Sequence, residues 1–277
     1  VQGRDGVTLR ALTAGERHRP TVLLINALGI SGVFLAGLAA ELAPRHHVVT
    51  WESRGLPDFA AARDDADYSV ERHVGDAAQV LAALDVKPQA IVSYCSGSPI
   101  AAMGLARGQL SAQAWCAISP SIHVPGGAQT DYQRTMLPMW AQMVKTGHRH
   151  AALVRGLIRQ QMREDDGSLA HELHHYNNRP FLTVESTYRY AQLQSACLQP
   201  DWPALLARID LPALIVHAGS DDVIHRETSM LVARHIPHAE FAEVPGAGHF
   251  AIYDNDSVLE RIGAFLRQAH PQPAPSH

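Results

Sequence analysis

At 277 residues, with 46% apolar and 18% charged side chains, the chain can bury a sizeable core and has the balance of a globular protein. Its net charge of −4 argues against a general nucleic-acid binder, and no apolar run nears the roughly 18 residues of a membrane-spanning helix. Three cysteines in unrelated contexts make no disulfide framework, and Val1-Gln2-Gly3-Arg4 lacks the apolar stretch of a secretory signal, so a reducing, cytoplasmic setting is expected, with no membrane or nucleic-acid partner.

The predicted elements alternate. Thr21–Ile25 is a continuous apolar run, the mark of a strand buried on both faces. Val33–Leu42 reads as a helix and His47–Trp51 as the next strand. Ser69 can cap a helix whose Val70, Val74, Ala77, Leu81 and Leu84 share one face, ended by Lys87-Pro88. Ala90–Tyr94 is a short strand running directly into a helix, and Ala114–Ser119 closes this half. From Ile122 to Pro200 there is no strand-like run, only stretches rich in His, Arg, Gln and Met that read as several helices. Alternation then resumes with a strand at Leu214–His217, a helix at Glu227–Ile236, a strand at Phe241–Val244 and a helix at Asn255–Arg267. The expectation is an α/β chain with a mostly parallel central sheet and helices on both faces. Its core spans 1–121 and 201–268, an inserted helical cap spans 122–200, and 269–277 form a loose tail. The cap should lie over the carboxyl ends of the strands, where ligands bind in open α/β sheets.

The chemistry concentrates at Ile91-Val92-Ser93-Tyr94-Cys95-Ser96-Gly97-Ser98, a strand-to-helix turn with the small-x-nucleophile-x-small spacing of a nucleophile elbow. With Cys95 as nucleophile the crowded positions hold Ser93 and Gly97, both small. Ser96 as nucleophile would place Tyr94 at a crowded position. Ser98 is followed by Pro99, which lacks the N–H an oxyanion hole needs, whereas Cys95 is followed by Ser96, which can donate. The alternative is a core cysteine packed as a small hydrophobe.

Through these segments the chain resembles the α/β-hydrolase superfamily from Gly6 to Arg267. The resemblance implies a base at His249, in the turn Pro245-Gly246-Ala247-Gly248-His249-Phe250 after the last strand. It implies an acid in Gly219-Ser220-Asp221-Asp222, with Asp222 at the family's position and Asp221 as its rival. It places a second oxyanion donor at the N–H of Leu28, although Asn26-Ala27-Leu28-Gly29 departs from the family's His-Gly loop. Arg54, in Glu52-Ser53-Arg54-Gly55, is read as a loop anchor.

A thiolate at a helix N-terminus beside a histidine is strongly nucleophilic, and the acyl-enzyme it forms is a thioester. Transfer from a thioester donor onto cysteine is close to thermoneutral, so the acyl group stays activated for a second thiol or an amine, whereas serine would lower it into a stabler ester. The Trp51–Gly55 and Ser93–Gly97 segments are similar to stand-alone carrier-protein acyl- and aminoacyltransferases of natural-product pathways. The leading expectation is therefore an acyltransferase using a Cys95 acyl-enzyme, without cofactor. A thioesterase or ester hydrolase, a Dieckmann-type cyclase and a non-catalytic binding protein of the same fold are the alternatives.

His171 and His175 have the spacing of a zinc pair, but no third ligand is evident and a polar cap helix explains them better than a metal site. Met136, Met139, Trp140 and Met143 read as cap core, and Cys116 and Cys197 as packing residues. Arg155, Arg159 and Arg163 recur at i, i+4 and i+8, and 122–200 carries eight Lys or Arg against six Asp or Glu in a chain of net charge −4. That stripe is a candidate dock for an acidic carrier protein bearing the acyl thioester; an ordinary solvated face is the competing reading.

Overall fold

Thr21–Ile25, His47–Trp51 and Ala114–Ile118 are buried at every residue, and only a sheet covered on both faces can accept such runs. A computed structural model describes residues 1–3, 5–56, 65–160 and 175–269. Among these described residues are seven strands: β1 Ala11–Ala14, β2 Thr21–Ile25, β3 His47–Trp51, β4 Pro88–Tyr94, β5 Ala114–Ile118, β6 Ala213–Ala218 and β7 Ala239–Val244. Their order is β1-β3-β2-β4-β5-β6-β7, with β1 antiparallel to β3 and the rest parallel.

The helices are α1 Ala36–Leu42, α2 Val70–Leu84, α3 Ser98–Ala106, α4 Asp131–Thr146, α5 His148–Gln160, α6 Val184–Ala196, α7 Trp202–Leu206, α8 Arg226–His235, α9 Ala251–Asp254 and α10 Asp256–Ala269. Alternate strand residues feed two separate cores, as the period of two requires. Leu24, Val92 and Val216 pack with Leu38 of α1 and Val258 and Ile262 of α10. Leu23, Ile91 and Ile215 pack on the opposite face with Val74 of α2, Ala102 of α3 and Val232 of α8.

Local signals explain several boundaries. Ser69 caps α2, its Oγ accepting from the N–H of Arg72 at 3.2 Å. The end of α2 is earlier than Lys87-Pro88 suggested. Asp85 takes the left-handed conformation at φ 53° and stops the helix at Leu84, so that Pro88 already opens β4, where its missing N–H is tolerated at the first strand position. Gly32–Leu35 forms a 3₁₀ turn ahead of α1 where one continuous helix was expected. β1 had no clear sequence signal, because Ala-Leu-Thr-Ala lacks a distinct apolar alternation.

Between β5 and β6 lie α4, α5 and α6. Trp140, Met143, Ala151, Val154, Phe181 and Ala191 make their shared core, with Met136 and Met139 partly buried against it. A capping box at Thr130 and Gln133 starts α4. Thr130 also ties the cap to the sheet half, its Oγ1 donating to the Val223 carbonyl at 3.1 Å, and Thr228 Oγ1 donates to the Ala128 carbonyl at 2.8 Å. The tail 270–277, Arg163 and His171 lie outside the described residues.

Arg54 is an anchor. Its guanidinium, only 2% exposed, grips Asp76 of α2 through two bonds of 2.7 Å and Asp5 through one of 2.8 Å. Burial works against the charge, but the two carboxylates outweigh it and hold Arg54 above its usual range. Arg54→Met should strand the Asp76 carboxylate and lower the unfolding free energy by about 3–5 kcal/mol, whereas Arg54→Met with Asp76→Leu should recover most of that loss. Urea unfolding of the two variants checks this; equal losses in both would refute it.

Candidate active site

The elbow forms because its sterics leave no other course. Cys95 follows β4 at φ 47°, a left-handed conformation costly for a residue with a Cβ, and it leads through the 3₁₀ turn Cys95–Gly97 into α3. A Cβ on Gly97 would sit 2.4 Å from the Asn26 carbonyl oxygen and 2.5 Å from that of Ile25, so only glycine lets the turn press against the end of β2. Ser93, on the other side, is buried, its Oγ donating to Ser98 Oγ at 3.1 Å and accepting from Trp115 Nε1 at 2.9 Å. Cys95 is half-buried; Cys116 and Cys197 are buried.

His249 is brought to this turn from the loop after β7. Its backbone carbonyl accepts from the Tyr94 hydroxyl at 3.0 Å, and the two rings lie 5.4 Å apart. On one side of the ring, Cys95 acts on it through its charge. On the other, Nδ1 donates to Asp221 at 2.9 and 3.0 Å. Burial opposes the imidazolium. The negative charge of Cys95 and the hydrogen bonds with Asp221 outweigh it and raise His249 to about 10.

The carboxylate is Asp221, which corrects the expectation of Asp222. β6 ends at Ala218, and the chain turns with the N–H groups of Gly219, Ser220 and Asp221 bonded to the carbonyls of Val244, Ala247 and Ala218. Asp221 Oδ1 then accepts from the N–H groups of Val223 and Ile224, each at 2.8 Å, which turns the side chain inward to full burial. Burial of that carboxyl works against its charge, but the bonds from His249 and the backbone prevail and hold it below its usual range. Asp222, one residue on, makes no hydrogen bond to the imidazole, whose partner is Asp221. It is exposed and borders a surface groove of about 380 Å³ with Gly246, Gly248 and Phe250.

The loop after β2 is braced by its own side chains in place of the family's histidine. Asn26 Nδ2 donates to the carbonyls of Ile30 and Ser31 at 3.2 and 2.8 Å, and its Oδ1 accepts from the Ala27 N–H at 2.8 Å. Glu52 fastens the far end, accepting from Ser31 Oγ at 2.8 Å and from the Gly32 N–H at 3.0 Å. Neither role carries a sequence signal of its own beyond the place of the two residues in Asn26–Gly29 and Glu52–Gly55. Leu28 also departs from expectation. Its N–H does not face the cleft unaccompanied but donates to Ser96 Oγ at 2.9 Å, with both residues buried.

The cap closes over these loops. Tyr190 of α6 packs edge-on to Trp140 and Phe181, and its ring lies over Gly29, where an added Cβ would come within 2.7 Å. The phenol of Tyr190 is raised first by burial, with the charges of Tyr132 and Cys95 contributing. Arg155 is committed within the cap, its guanidinium donating to the carbonyls of Phe181 and Leu182. Arg159 is exposed at the end of α5. His175 packs edge-on to Tyr176. Among the described residues no helix is long and apolar enough to cross a membrane.

Residues 20–256 match the family described as the alpha/beta hydrolase fold. The chain is 26% identical over 272 residues to a protein of Caulobacter segnis named as a carbamate hydrolase, RutD, covering 96% of this chain and 98% of that one. Among solved structures, an enol-lactonase from Burkholderia xenovorans superposes with a TM-score of 0.73 at 19% identity, covering 95% of this chain and 97% of its own. An esterase from Thermogutta terrifontis does so with a TM-score of 0.73 at 17% identity, covering 97% and 96%.

Proposed function

The chain belongs to the alpha/beta hydrolase fold family, and from that premise we propose that it moves acyl groups held as thioesters, through a covalent acyl-enzyme on Cys95. The observation that carries this reading is a cysteine at the strained tip of the elbow, on the strand-end loops that also carry an imidazole held by a buried carboxylate. The Cys95 thiolate attacks the thioester carbonyl, and the C=O π pair moves onto oxygen. Collapse re-forms the carbonyl and expels the donor thiolate, which takes the proton from the His249 imidazolium. Asp221 keeps the imidazole in the tautomer and orientation this requires. In the second half His249 removes the proton of the incoming thiol, and the same steps run in reverse. A thioester intermediate conserves the activation of the acyl group, which is the reason to favour a thiol acceptor over water.

For the bearer of the donor thioester we propose an acidic carrier protein approaching the cap, with exposed Arg159 as an electrostatic contact. Arg155 serves the fold of the cap instead.

The likeness to a carbamate hydrolase over nearly the whole of both chains favours a second reading, in which water is the final acceptor. Intact mass spectrometry with an acyl-N-acetylcysteamine thioester separates the two. The transferase should hold its acyl adduct for minutes in buffer and lose it on addition of a second thiol. Adduct lost equally fast as free acid without thiol would establish the hydrolase. Cys95→Ser should shift the partition at least tenfold from transfer to hydrolysis or load poorly, since its intermediate is an oxygen ester; unchanged transfer would remove the thioester argument.

A further inference from the structure

We infer that the hydroxyl of Ser96 is a catalytic residue, standing in the oxyanion hole and relaying the Leu28 N–H to the carbonyl oxygen of the substrate. The inference rests on the Cys95 acyl-enzyme proposed above. It starts from a conflict of positions. An oxyanion needs donors 2.7–3.1 Å away, and the place 2.9 Å from the Leu28 nitrogen is already held by Ser96 Oγ. The substrate oxygen therefore either evicts the hydroxyl or bonds to it.

The surroundings favour bonding. Ser96 is 1% exposed and fixed in the 3₁₀ turn, so its side chain has little room to swing away. Leu28 cannot readily advance past it, because Asn26 braces the loop from within and Tyr190 lies over Gly29 from outside. A serine hydroxyl has two lone pairs and one proton. Accepting from Leu28 uses a lone pair and leaves the proton, for which the described residues show no acceptor. A hydroxyl that accepts a hydrogen bond also becomes a stronger donor through polarisation. The residue after the nucleophile would thus give two donors, its own N–H and its O–H, to the oxygen that gains charge as the Cys95 sulfur bonds to the carbonyl carbon. No proton leaves Ser96 in this step; the bond shortens as the charge develops and relaxes when the carbonyl re-forms.

The test is Ser96→Ala, followed by quenched-flow mass spectrometry of acyl-enzyme formation from butyryl-N-acetylcysteamine. The relay requires the maximal acylation rate to fall about 100-fold with KM within about threefold, as for loss of one oxyanion donor. Alkylation of Cys95 by iodoacetamide has no oxyanion, so its rate should stay within about threefold of the unsubstituted protein and reports that the elbow is folded. Ser96→Thr, which restores a hydroxyl, should acylate at least tenfold faster than Ser96→Ala. If Ser96→Ala does not fold, Ser96→Gly takes its place with the same expectation. Acylation at or above the unsubstituted rate in a folded hydroxyl-free variant would overturn the relay, because it would show that the freed Leu28 N–H serves directly and the hydroxyl only blocks it. That outcome leaves the Cys95 adduct intact, whereas failure of the acyl-enzyme reading itself appears as no adduct on Cys95 in the unsubstituted protein.

Discussion

Cys95→Ala should abolish the acyl adduct, a loss of at least about 10⁴-fold in acylation rate, while Cys116→Ala and Cys197→Ala stay within about threefold of the unsubstituted protein. All three residues are free thiols, so the contrast rests on environment. Cys116 lies in the middle of β5 at 0% exposure, and burial alone drives its thiol far up. Cys197 donates to the Leu193 carbonyl at the end of α6, and burial, with the nearby charge of Cys95, pushes its thiol up to about 12. Neither presents a thiolate at neutral pH, and the thiolate is the attacking form. Cys95 alone among them stands on the strained turn beside His249. Peptide mapping of the adduct decides the matter: acyl groups retained by Cys95→Ala on another side chain would move the nucleophile elsewhere.

The second large effect separates two neighbouring carboxylates. Asp221→Asn should slow acylation by about 10³-fold and Asp222→Asn by no more than about threefold. Asparagine keeps the size of Asp221 and one oxygen for the Val223 and Ile224 N–H groups, so the turn should survive. What is lost is the charge that steadies the imidazolium. A carboxylate beside His249 favours its protonated form, so removing that charge must lower the midpoint of the imidazole from its value of about 10. NMR titration of His249 gives this shift independently of turnover. Asp222 is exposed and accepts nothing from the imidazole, so its replacement should leave the midpoint where it was. Inactivation by Asp222→Asn with an unmoved midpoint in Asp221→Asn would reverse the assignment.

The middle of the sheet was legible because its inner strands are buried on both faces and must be largely apolar; Thr21–Ile25 and Ala114–Ile118 can hardly be anything else. The elbow was legible because sterics, not chemistry, set its spacing: Ser93 and Gly97 are small where a Cβ or a larger group would strike β2 or Trp115. The choice between Asp221 and Asp222 was not legible. It depends on where β6 lets go and on which carboxylate the following N–H groups capture, and a step of one residue reverses the direction of a side chain. Nor could the sequence show that the Leu28 N–H ends on Ser96, a bond between residues 68 positions apart. β1 escaped notice for a simpler reason, since small residues at a sheet edge leave no alternation to read.

The groups of the proposed acyl-enzyme chemistry all sit at the carboxyl ends of core strands: Cys95 after β4, Asp221 after β6, His249 after β7. Tyr190, whose ring lies over Gly29 of the neighbouring loop, comes from a helix inserted between β5 and β6. Reactivity and selectivity are therefore written in separate stretches of the gene. Point changes in the segment encoding α4 to α6 can reshape what fits over the thiol without displacing any atom that makes or breaks a bond. If the proposed chemistry holds, a lineage could thus exchange one acyl group for another by drift in the cap alone, keeping a working catalyst at every intermediate.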